Sequence, residues 1–189
     1  MAYISVVDMA QDVMAQAIRG GDKVIDATVG NGHDTVFLAK AVGDSGHVLG
    51  FDVQPEAIDN TRKRLQQQNL AHRVTLFLQD HAGMSECIPQ GMKNCIKAVM
   101  FNLGYLPGGD KSRVTNVQST LPALDAVLPQ LMPGGVVTIV AYSGHTGGAV
   151  ETNAVLYWSS HLDQTYTVEV FKPPGTAAIA PLLVIIKHK

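Results

Sequence analysis

Apolar residues recur along the chain at two spacings, and each predicts a different element. Val6, Met9, Ala10, Val13, Met14, Ala17 and Ile18 fall at helical intervals and stop at Gly20-Gly21. That pattern predicts a helix packed on a sheet and covering part of a ligand pocket. Short apolar runs at 23–25, 47–53, 74–78, 97–101 and 136–142 predict buried strands. Helical stretches lie between them, at 36–42, 55–68, 114–132 and 151–161. Pro55 suits a first helical turn. Strands alternating with helices predict a largely parallel sheet with helices on both faces.

The end of the chain departs from that alternation. Residues 165–171 alternate polar and apolar, as a half-exposed strand does, whereas Leu182-Leu183-Val184-Ile185-Ile186 is continuously apolar. Only about ten residues separate them, too few for a crossover helix, so the two strands pair antiparallel. The predicted fold is α/β and Rossmann-like: a seven-stranded, mostly parallel sheet closed by a C-terminal antiparallel hairpin. This topology resembles that of the class I methyltransferases. At 189 residues, with 46% hydrophobic, the chain reads as a single domain over 1–189.

Composition narrows the setting. A formal net charge of -2 provides no global basic field, so an RNA partner needs a local patch. Arg62, Lys63 and Arg64 are a solvated helix face at least as much as an RNA contact. Cys87 and Cys95 form neither a disulfide framework nor a metal-ligand cluster, so no metal is expected. No stretch has transmembrane length, and the first residues lack a signal peptide's basic and apolar regions. A soluble, cytoplasmic protein is expected.

The chemistry begins at Asp26-Ala27-Thr28-Val29-Gly30-Asn31-Gly32-His33-Asp34-Thr35. A strand, a glycine turn and a helix make a nucleotide-binding corner. Glycine lets the backbone approach a ligand, and the helix start directs free N–H groups at it. Asp52 follows about twenty residues on, where such folds place a ribose-binding carboxylate. The spacing is not the dinucleotide pattern G-x-G-x-x-G. It resembles motif I of class I S-adenosylmethionine methyltransferases, with Thr28 in place of the first glycine. An opening Asp26 repels a pyrophosphate but attracts an ammonium or a sulfonium. The bland alternative is a tight turn with no ligand. Asp80, at the end of the third strand, either accepts from an adenine amino group or caps a helix. His81 either orients its loop or touches substrate.

A second chemical stretch is Asn102-Leu103-Gly104-Tyr105-Leu106-Pro107-Gly108-Gly109-Asp110-Lys111. It resembles the (D/N)-P-P-Y motif of amino-methylating enzymes, with Leu103-Gly104 replacing the prolines. In that motif the Asn oxygen and a nearby backbone carbonyl accept from the amine and aim its lone pair at the methyl group. Tyr105 either stacks on the target base or packs as an ordinary aromatic. Ser143-Gly144-His145-Thr146-Gly147-Gly148 reaches the same rim. His145 there is a substrate contact, an acid–base group or simply a polar loop residue.

Taken together, these stretches and Tyr142-x-Gly144-His145-x-Gly147-Gly148-x-x-Glu151 are similar to the MnmM tRNA methyltransferases, a family long labelled rRNA methylases. The likeness spans nearly the whole chain. It implies S-adenosyl-L-methionine as cofactor and the tRNA anticodon loop as partner. The implied reaction converts 5-aminomethyl-2-thiouridine to its 5-methylaminomethyl form at the wobble position. It carries cofactor binding to Asp26, Thr28, Gly30, Asn31, Gly32, Asp34, Thr35, Asp52, Gln54, Asp80, His81 and Asn102. Catalysis falls to Asn102, Tyr105 and Asp110, and substrate binding to Tyr105, Lys111, Arg113 and His145, with Lys111 and Arg113 on phosphates. Thr176-Ala177-Ala178-Ile179-Ala180 is blander than the family's substrate loop. Competing readings are methylation of rRNA or of a small amine, a cofactor sensor, and an NAD-linked oxidoreductase. The oligomeric state is monomer or homodimer.

Overall fold

Seven strands form one sheet in the order β3-β2-β1-β4-β5-β7-β6 in the computed structural model, which describes residues 5–106, 108, 114–173 and 180–189. Asp110, Lys111, Arg113 and residues 176–179 lie outside the described residues. The strands are β1 (Lys23–Asp26), β2 (His47–Asp52), β3 (Val74–Leu78), β4 (Ile96–Leu103), β5 (Leu131–Ala141), β6 (Tyr166–Phe171) and β7 (Leu182–His188). The helices are α1 (Val6–Ala17), α2 (His33–Ala41), α3 (Pro55–Gln67), α4 (Met84–Cys87), α5 (Val117–Val127) and α6 (Gly148–Ser160). β1 to β5 run parallel, while β7 is antiparallel to both β5 and β6.

The alternation of side chains along each strand builds two cores. Val24, Ala98, Met100, Val140 and Leu183 pack with Met14 of α1, Leu38 of α2 and Leu65 of α3. Ile25, Val99, Phe101, Ile139 and Val184 pack with Met84 of α4, Leu124 of α5 and Val155 of α6. Strands buried on both faces must be apolar throughout, which explains the continuous run in β7. Local chemistry sets the helix starts. Ser5 and Asp8 form a reciprocal capping box on α1, and Asn116 accepts from the N–H groups of Gln118 and Ser119 on α5.

Four elements differ in their bounds from the sequence reading. α2 begins at His33, not Val36, because Gly32 ends the turn in the left-handed region at φ 77. The helix expected over 114–132 is shorter, since Asn116 caps its start and Pro129 lies in a 3-10 turn that follows it. β5 therefore starts at Leu131, before Pro133-Gly134-Gly135. Leu131 pairs with Ile96, and regular pairing resumes at Val136 opposite Ala98, leaving a bulge between them. Finally, Asn102 belongs to β4 itself, opposite Val140, rather than to the loop after it.

Candidate active site

The strand order reverses between β1 and β4, and a cleft of about 710 Å3 opens beyond the carboxyl ends there. Residues 27–31, 52–54, 79–81 and 102–106 line it, with Tyr142, Gly144 and His145 after β5. Val7 and Gln11 of α1 close one side. Asp34, Asp52 and Asp80 line the cleft, and no Lys or Arg does among the described residues. Such a lining favours a cationic or donor-rich ligand.

In one half, Asp52 joins two loops. Its Oδ2 accepts the Gly30 N–H at 2.8 Å and its Oδ1 accepts the Gln54 N–H at 2.9 Å. The Val53 N–H also bonds this carboxylate, so of about four lone-pair sites about one remains for a ribose hydroxyl. Burial pushes the Asp52 carboxyl up, against the pull of those N–H groups. The glycine turn is shaped from α3: Thr61 donates to the Gly30 carbonyl at 3.2 Å, and Arg64 to the Asn31 carbonyl at 3.0 Å. A Cβ on Gly32 would lie 2.5 Å from Thr61 Oγ1, so this position has no room for a side chain.

Asp26 stands behind that wall, fully buried. Its carboxylate accepts the Thr35 hydroxyl at 2.6 Å and the Thr28 N–H at 3.2 Å. Burial, then the charge of Asp34, push its pKa up to about 7. Thr28, standing where the motif has glycine, accepts the Asn102 N–H on its hydroxyl at 2.7 Å and so ties β1 to β4.

In the other half, Asn102 and Asp34 meet. Asn102 Nδ2 donates to Asp34 Oδ2 at 2.5 Å, and Gln11 Nε2 donates to Asp34 Oδ1 at 2.6 Å. Asn102 Oδ1 is buried without a hydrogen-bond partner, as are His81 Nε2 and His145 Nε2. Both histidines face a carbonyl through Nδ1: His81 that of Ala27 at 3.2 Å, His145 that of Thr146 at 3.0 Å. Nδ1 therefore carries a hydrogen in both. Burial holds the His81 pKa down and keeps it neutral. Tyr105, 42% exposed, meets His145 edge to face at 6.2 Å and bridges Val114. Thr115 N–H donates to the Gly104 carbonyl at 3.0 Å, closing this loop at its base.

The model of the family described as "Putative rRNA methylase" matches residues 48–187. The chain belongs to this family. A crystal structure bearing the family's description, from Clostridium thermocellum, superposes with a TM-score of 0.94 at 39% identity over the whole of both chains. A "putative methyltransferase" from Streptococcus mutans, solved in complex with SAH, gives 0.88 at 35% identity, again over both whole chains. The chain is also 41% identical, over 163 residues, to a chloroplastic tRNA (mnm(5)s(2)U34)-methyltransferase of Arabidopsis thaliana. That match takes in 82% of this chain but only 59% of the plant protein, so the chain spans about three-fifths of its length. The seven-stranded methyltransferase sheet with its inserted last strand is thus common to the family and to this chain.

Within this family site, the structure brings most of the expected residues to one cleft. Thr28, Gly30, Asn31, Asp34, Asp52, Gln54, Asp80, His81, Asn102, Tyr105 and His145 all line it. Asp26, Gly32 and Thr35 do not: they shape the turn from behind. Asp80 caps the 3-10 turn after β3, accepting the Ala82 N–H at 2.8 Å, while half of its side chain stays exposed. Gln11 carries no signal in the sequence, and Tyr142 and Glu151, which stand in the third motif, gain their roles only here. Burial, then the charge of Asp34, raise the Tyr142 pKa. Glu151, 2% exposed, accepts the Thr115 and Thr120 hydroxyls at 2.8 and 2.6 Å and so anchors the base of the Tyr105 loop. Among the described residues, no group of three or more His, Cys, Asp or Glu side chains gathers to hold a metal, and no helix is long and apolar enough to cross a membrane.

Proposed function

We propose that this protein is an S-adenosylmethionine-dependent N-methyltransferase acting on 5-aminomethyl-2-thiouridine at the tRNA wobble position, giving the 5-methylaminomethyl form. The observation that carries this reading is Asn102 Oδ1, a buried acceptor with no partner at the carboxyl end of β4. An acceptor left bare in a closed site is costly unless a ligand donates to it. An amine is such a ligand. The plant relative's name and the SAH held by the Streptococcus protein support the substrate and the cofactor class.

The residues present fit the cofactor. Asp52 has acceptor capacity for a ribose hydroxyl, Val53 offers apolar surface beside it, and the acidic lining suits a sulfonium. When bound, S-adenosylmethionine supplies an electrophilic methyl group. Asn102 Oδ1 accepts an amine N–H and turns the nitrogen lone pair toward the reacting carbon. Nearby carbonyl and carboxylate oxygens stabilise the positive charge that develops on nitrogen. Tyr105 gives the target base a stacking face. Asp110, Lys111 and Arg113 lie outside the described residues; the family likeness alone assigns catalysis to Asp110 and phosphate contact to Lys111 and Arg113. Nucleoside mass analysis of tRNA from cells with and without the gene tests the reading. Loss of the 5-methylaminomethyl nucleoside, with accumulation of the 5-aminomethyl one, is expected; an unchanged profile contradicts it.

A further inference from the structure

We infer that Asp34 is a positioning residue for methyl transfer: its carboxylate locks the Asn102 amide in the one orientation that presents Oδ1 to the amine. This rests on the function proposed above. An ionised carboxylate only accepts hydrogen bonds. The Asn102 atom facing Asp34 Oδ2 at 2.5 Å must therefore be the NH2 group. Turning the amide over would set Asn102 Oδ1 against a carboxylate oxygen and break a charge-assisted bond. Losing such a bond biases the orientation by about one to two orders of magnitude.

The lock has two further parts. Asn102 N–H is held by the Thr28 hydroxyl at 2.7 Å, which fixes the backbone from which the amide projects. Gln11 Nε2 grips the other carboxylate oxygen at 2.6 Å, which fixes Asp34. Gln11 lies on α1, whose Val6, Ala10 and Met14 are buried in the core. Asp34 is itself 8% exposed, so water competes little for these bonds. Two segments distant from β4 in sequence, α1 and the stretch 28–34, thus decide which atom of Asn102 faces the amine. A displacement of this kind costs as much as a hundredfold in rate.

The test compares Asp34→Ala, Gln11→Ala, Asn102→Asp and the exchanged pair Asp34→Asn/Asn102→Asp with the parent protein. Three quantities are read: the single-turnover rate on aminomethyl tRNA, the cofactor Kd, and the Asn102 side-chain NH2 resonance in nitrogen-15 spectra of the protein without substrate. The resonance is assigned by its absence in Asn102→Asp. For Asp34→Ala, the rate is expected to fall at least about 30-fold. The rate is read at saturating cofactor, with the Kd measured separately, so that weaker cofactor binding is not counted as a slower step, and the Asn102 NH2 signal should move toward its free position. Gln11→Ala is expected to show the same changes in smaller measure. The exchanged pair keeps one carboxylate, one amide and an acceptor oxygen at position 102, so it should exceed Asn102→Asp alone by about tenfold or more. An unmoved NH2 resonance in Asp34→Ala, or an exchanged pair no faster than Asn102→Asp, overturns the inference. If the parent protein ignores aminomethyl tRNA, the proposed substrate falls, and the lock is judged on the resonance, which needs no substrate.

Discussion

Asp52 Oδ2 accepts the backbone N–H of Gly30 at 2.8 Å, joining the loops after β2 and β1 across 22 residues. The same carboxylate holds Gln54 N–H at 2.9 Å. Asp52 therefore both fixes the glycine turn and faces the cleft. Asp52→Ala is expected to weaken S-adenosylmethionine binding by about 2 kcal/mol or more, roughly 30-fold, as loss of bonds to a charged acceptor does. Calorimetry on the purified protein measures this, and parental affinity in the variant would remove Asp52 from the cofactor site.

Asn102 and Tyr105 stand on the acceptor side, one inside β4 and one just beyond it. Asn102→Ala and Tyr105→Ala are each expected to slow single turnover by about a hundredfold while leaving cofactor affinity nearly intact. Pre-steady-state labelling with saturating cofactor separates the two effects. Normal turnover in both variants would break the comparison with amino-methylating enzymes.

Gly32 combines two constraints, φ 77 and a missing Cβ that would meet Thr61 Oγ1 at 2.5 Å. Gly32→Ala is expected to destabilise the protein by about 2–3 kcal/mol, from left-handed strain plus the clash. Thr61→Ala relieves the contacts with Oγ1 and Cγ2 but also loses the Thr61 hydrogen bond to the Gly30 carbonyl, so it serves as its own reference. In that background Gly32→Ala should cost less than in the parent, about 1–2 kcal/mol. Denaturant unfolding of the two single variants and the double gives the partition; an equal cost of Gly32→Ala in both backgrounds would mean Thr61 yields freely.

Asp26 makes stability depend on pH. Its pKa is about 7 in the folded protein against 3.8 for the free group, so the native state holds the extra proton between those values. Its contribution is complete below about pH 4. It is lost as pH rises through 7, and at about 1.36 kcal/mol per pH unit the span is a few kcal/mol. Asp26→Asn mimics the protonated form. It should flatten this part of the profile and gain most over the parent near pH 8. Unfolding curves at pH 5 and pH 8 check the sign; an equal gain at both would rule out the proton as the cause.

Much of the fold is legible in the residues because the strands are short apolar runs with nothing to compete with them. The inserted β7 follows from two facts: its run is apolar on both faces, and the connection from β6 cannot hold a helix. The start of β5 was not legible. Pro133-Gly134-Gly135 has the composition of a helix stop, yet it forms a bulge within a strand, and periodicity carries no mark of a bulge. In the site, Asp52 and Asn102 announce themselves by standing at strand ends. Gln11 does not, since a single Gln on an amphipathic helix looks like solvent-facing surface. Only the docking of α1 brings it to Asp34, 23 residues away. Asp26 misleads in the opposite direction: it carries the motif's charge, but Thr35 and the Thr28 N–H enclose it away from the cleft.

The acceptor is decided by purified protein, methyl-labelled S-adenosylmethionine and two matched tRNAs, one carrying the 5-aminomethyl group and one lacking it. Label is expected in the first tRNA alone, at the wobble nucleotide. Its single-turnover rate should rise with pH as the amine, whose lysine-like solution pKa is about 10.4, loses its proton. Desolvation in the cleft should make that rise level off below the solution value. Equal labelling of both tRNAs, or labelling of ribosomal RNA alone, would contradict the proposed reaction.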